Sequence, residues 1–107
     1  MQEPYLYYYL GGLGKKSDFE LGMVVMTKGI KEEVVNDPSY YDEIGRCFDR
    51  YIHKDLGVLG EEGDDGCVYE VVDGEEIMGA YITSKGYIYI STSYDRKGTI
   101  IFLPEER

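Results

Sequence analysis

The last third of the chain holds three runs rich in β-branched and aromatic residues, Glu76 to Thr83, Tyr87 to Tyr94 and Thr99 to Leu103. They are separated only by Ser84-Lys85-Gly86 and Asp95-Arg96-Lys97-Gly98. Links this short leave no room for a crossover helix, so successive runs must pair antiparallel as a meander. A three-residue first turn, with Gly86 in the left-handed position, pairs Ile82 with Ile88, Ala80 with Ile90 and Tyr81 with Tyr89. A two-residue turn pairing Ile82 with Tyr89 mixes the faces, so the three-residue register is expected. It puts Met78, Ala80, Ile82, Ile88 and Ile90 under a helix, and Tyr81, Thr83, Tyr87, Tyr89 and Ser91 on a tyrosine-rich opposite face. The last strand has two registers. A four-residue loop puts Ile101 and Leu103 in the core, and a three-residue loop puts Ile100 and Phe102 there.

Ahead of the meander the signals are helical. Asp37 followed by Pro38 offers a capping side chain and then a residue whose missing N–H costs nothing in a first turn. Tyr41, Ile44, Phe48, Tyr51 and Ile52 recur at spacings of three and four, which predicts a helix over about 38–54 that Gly57 ends. A shorter helical piece, Gly29 to Val35, precedes it. The fold class expected is therefore α+β, a three-stranded antiparallel sheet with one main helix and a short one, and with a fourth strand open. The organisation expected is an arm or edge strand over residues 1–22, Tyr- and Gly-rich, and one domain over 23–107. At 107 residues and 43% apolar content, the chain can bury a core without metal or disulfide staples.

Charge is distributed unevenly. Asp55, Glu61, Glu62, Asp64, Asp65, Glu70, Asp73, Glu75 and Glu76 fall within a stretch that has no Lys or Arg, while the rest of the chain holds twelve acids against eleven bases. Nearly all of the net charge of −10 comes from that stretch. Gly57, Gly60, Gly63 and Gly66 make its first half a loop, and Cys67 to Val72 reads as a short helix or a strand, with helix preferred. Such a block either solvates the chain or faces something basic.

Catalytic and cofactor chemistry find little support. His53 and Cys47 lie six residues apart on the helix and point in different directions, and a histidine at a helix C-terminus is favoured there by the dipole. His53, Cys47 and Cys67 match no zinc spacing. The Glu61-to-Gly66 run lacks the alternating acids and distal Glu of a calcium loop. Gly11-Gly12-Leu13-Gly14-Lys15-Lys16 lacks the glycine spacing and hydroxyl residue of a phosphate loop. No enzyme, metal or cofactor is expected, and the acidity disfavours direct nucleic-acid binding. Two cysteines in no motif suit a reducing cytoplasm. The N-terminal apolar run is too short and too tyrosine-rich for a signal peptide or a membrane span. Turned round, the charge suits occupation of a nucleic-acid-binding protein's basic groove. The nine carboxylates would supply attraction there, and Tyr81, Tyr87 and Tyr89 would be buried anchors. The tyrosine face and an exposed sheet edge leave a homodimer open.

Tyr87-Ile88-Tyr89-Ile90-Ser91-Thr92, then Asp95-Arg96, then Thr99 through Pro104 and Glu105 resemble a family of small proteins carried on plasmids and conjugative elements of Gram-positive bacteria. Met26-Thr27-Lys28-Gly29-Ile30 and Arg50-Tyr51-Ile52 look like that family too. The likeness runs from Met23 to Glu105, its C-terminal motif being the specific part. Leu56 stands where the family has a tryptophan, Ser93 replaces an acid, and residues 1–22 have no counterpart. A name often given to the family is type I restriction subunit M, yet this chain is too short for a methyltransferase and lacks its cofactor motifs. The resemblance implies a mobile-element accessory protein, and in that company a small acidic inhibitor of restriction or CRISPR systems. It carries over no catalytic residue. The alternative is an interaction or regulatory module of the mobile element, without nucleic-acid mimicry.

Overall fold

The computed structural model describes residues 6–7, 18–58 and 74–106, the first pair by backbone alone. Its elements are β1 (Leu6–Tyr7), β2 (Met23–Met26), α1 (Lys28–Asn36), α2 (Ser39–Ile52), β3 (Ile77–Thr83), β4 (Gly86–Thr92), β5 (Gly98–Phe102) and a 3₁₀ turn, Pro104–Glu106. Two helices lie on a sheet ordered β1-β2-β5-β4-β3. The fold is α+β, with the expected C-terminal meander, main helix and short helix. The fourth principal strand is β2, which joins parallel to β5, so the sheet is mixed. The two-residue β1 pairs antiparallel with β2.

The helices form where the sequence placed them. Asp37 Oδ1 accepts from Ser39 N at 3.2 Å and from Ser39 Oγ at 2.7 Å, fixing the start of α2. Ile44, Phe48, Tyr51 and Ile52 are buried as their spacing predicted, and Tyr40 and Cys47 join them, while Tyr41 is half-buried. The helix stops at Ile52, and Lys54 takes a left-handed conformation with φ of 69°. Phe19 and Leu21 also pack on this core. Phe19 meets Tyr51 edge-on at 5.4 Å, and Asp18 N donates to Ile52 O at 2.8 Å.

The first hairpin departs from its expected register. Thr83 pairs with Gly86, Ile82 with Tyr87, Tyr81 with Ile88 and Ala80 with Tyr89, around a two-residue loop of Ser84 and Lys85. Gly86 does take the positive φ, at 105°. Shifting the partner by one residue moves a strand's whole set of side chains. Ile77, Gly79, Tyr81 and Thr83 therefore join Ile88, Ile90 and Thr92 beneath the helices, whereas Met78, Ala80 and Ile82 turn away. Ile82 is 64% exposed and Tyr81 only 1%. In the last strand Thr92 pairs with Thr99 and Ile90 with Ile101 across a four-residue loop, so Ile101 is in the core and Leu103 packs at its margin.

Candidate partner-binding surface

The carboxylates and tyrosines expected to meet a partner separate into distinct environments. Asp55 is built into the fold. It accepts Arg50 Nε at 2.8 Å and Arg50 Nη2 at 3.2 Å, and its Oδ1 also takes Gly57 N at 3.1 Å. The Arg50 guanidinium stacks over the Tyr81 ring, 5.2 Å from its centroid, and Tyr81 OH donates to the Asp55 carbonyl at 2.6 Å. Burial pushes the Tyr81 phenol above its ordinary value, so it stays a proton donor. Tyr81 is thus a correction to the expected stripe: it braces the turn after α2 and does not lie on the open face.

That turn serves the sheet as well. Ala80 N donates to Leu56 O at 3.1 Å and Val58 N to Ala80 O at 2.9 Å, so residues 56–58 cover the edge of β3 at its middle. Gly57 makes this approach feasible. Its φ is 69°, and a Cβ there would stand 2.0 Å from the Ala80 carbonyl oxygen.

Glu61, Glu62, Asp64, Asp65, Glu70 and Asp73, with the segment Cys67 to Val72 and the glycine–lysine run 11–16, lie outside the described residues. The described residues that flank this stretch are Val58, beside Ala80, and Gly74, ahead of β3. Both are at the margin of β3. Glu75 and Glu76 follow, both exposed. The Glu75 carbonyl accepts Arg96 Nη1 at 2.6 Å, and Glu76 Oε2 accepts Ser91 Oγ at 2.6 Å. The second bond holds a carboxylate over the face of the sheet that points away from the helices.

That face is the structure's answer to the expected tyrosine stripe. Met78, Ala80 and Ile82 come from β3, Tyr87, Tyr89 and Ser91 from β4, and Ile100 and Phe102 from β5. None of these side chains is charged, and Ala80, Ser91 and Phe102 are buried, so the side is open chiefly at Ile82 and Tyr87. Tyr89 packs edge-on to Phe102 at 5.5 Å, while Tyr87 is 48% exposed beside Ile82. Tyr87 and Tyr89 thus sit where expected. Ile82 was missed as a surface residue, and the signal that could have found it is Gly79. A Cβ at Gly79 would press on the Tyr81 hydroxyl at 2.7 Å and on the Tyr51 ring at 3.1 Å. A glycine in mid-strand marks such close packing, and it places residues 79 and 81 on the ring-filled side.

Other chemistry is sparse among the described residues. No group of three or more His, Cys, Asp or Glu could hold a metal there. Cys47 is buried, and His53 is exposed with Nδ1 2.8 Å from the Asp49 carbonyl. No described helix is long and apolar enough to cross a membrane. No protein-family model, curated protein or solved structure matched the chain.

Proposed function

We propose that the protein is a non-enzymatic inhibitor of a host defence nuclease, of anti-CRISPR or anti-restriction type, which binds a basic nucleic-acid site. One observation carries the reading: a stretch rich in carboxylates and devoid of bases is flanked at both ends by residues beside β3, whose outer side exposes Ile82 next to Tyr87. Carboxylates attract a basic groove over a distance and repel the nucleic acid that competes for it. Aromatic and aliphatic side chains on a rigid sheet add the desolvated contacts that slow dissociation. The family resemblance of the C-terminal motif supplies the setting, a mobile element facing host defences.

Replacing Glu61, Glu62, Asp64 and Asp65 together by Ser tests this, with DNA cleavage by a purified guide-loaded Cas9-type effector and by a type I restriction complex as readouts. The expected outcome is inhibition by the parent protein, and roughly tenfold weaker inhibition by the variant at low salt, with the gap narrowing as salt rises. Equal inhibition by both would refute competition through charge. Failure of the parent to inhibit either nuclease, with specific binding to a mobile element's replication or transfer proteins, would favour the regulatory-module alternative.

A further inference from the structure

We draw no further inference here: the strongest candidate, the exposed Ile82–Tyr87 pair beside the β3–β4 turn on the outer side of the sheet, carries nothing because nothing among the described residues shows what covers it.

Discussion

Three tyrosines, Tyr40, Tyr51 and Tyr81, bury their rings in the core while each phenol finds a partner, and in two cases proton counting fixes the direction of the bonds. Thr83 Oγ1 donates to Gly86 O at 2.6 Å, so Tyr40 OH, 2.7 Å away, must be the donor to Thr83. Thr99 Oγ1 donates to Leu21 O at 2.7 Å, which leaves it to accept from Thr92, and Thr92 in turn to accept from Tyr51, each at 2.7 Å. The relay ties α2 through β4 and β5 to the segment ahead of β2. Tyr51 has a second acceptor in Ile77 O at 3.2 Å. Thr92→Val should therefore cost only about 1–2 kcal/mol, because Tyr51 can turn to that carbonyl. Adding Tyr51→Phe should cost less than the sum of the single changes, since both remove one bond. Urea unfolding of the two single variants and the double checks this, and strict additivity would show that the relay is not coupled.

At the scale of elements, the C-terminal 3₁₀ turn reinforces the cap of α1, where Thr27 Oγ1 accepts Ile30 N at 3.5 Å. Glu106 Oε2 accepts Gly29 N at 2.9 Å, and Oε1 accepts Leu103 N at 3.0 Å together with the Thr27 hydroxyl. Carboxylates are favoured at helix N-termini because the first N–H groups have no partner within the helix. Gly29 leaves the room for it: a Cβ would stand 2.7 Å from the Glu106 carboxylate and 2.8 Å from Leu103 Cδ1. Alanine is ordinarily the better helix former, yet Gly29→Ala should destabilise the fold by about 1–2 kcal/mol. In a Glu106→Ala background that cost should shrink, measurably by thermal unfolding. An equal cost in both backgrounds would mean that Leu103 sets it. The sequence shows the elements here better than their connections. Periodicity located α2 and the three meander strands within a few residues, because burial on one side writes itself into spacing. The register of the first hairpin was not legible from apolar alternation, since Ile82 and Ile88 look like partners on hydrophobicity alone. Tyr81 can enter the core because Asp55 O receives its hydroxyl and Gly79 yields space, and neither condition is local to the turn. For the same reason Asp55 looked like one of nine equivalent acids, when its pairing with Arg50 belongs to the fold.

For the whole molecule, acid should act in two opposed ways. Net charge of −10 at neutral pH strains a compact chain by self-repulsion, and that strain falls as pH approaches the isoelectric point near 4.4. Against it stand three carboxylates held ionised by serine hydroxyls in separate turns. Ser39 lowers the pKa of Asp37, Ser84 that of Glu43, and Ser93 that of Asp95. Glu43 also accepts Ser84 N at 2.9 Å, tying α2 to the β3–β4 turn. A group whose folded pKa is depressed contributes stability that is complete above its unfolded value, here 3.8 for Asp and 4.5 for Glu, and that is lost as pH falls through the lower folded value. At low salt the melting temperature should therefore rise from neutral pH toward the isoelectric point and fall below it. Salt shortens the Debye length and should flatten the rise, because repulsion among surface charges is screened. The acid-side fall should persist in salt, since short hydrogen bonds are screened far less. Glu43→Gln should make that fall shallower while lowering stability at neutral pH, which melting curves across pH at two salt concentrations would show. If salt abolished the fall as well, repulsion among the eleven lysines and arginines would be its cause, and the serine contacts would contribute little to the stability of the fold.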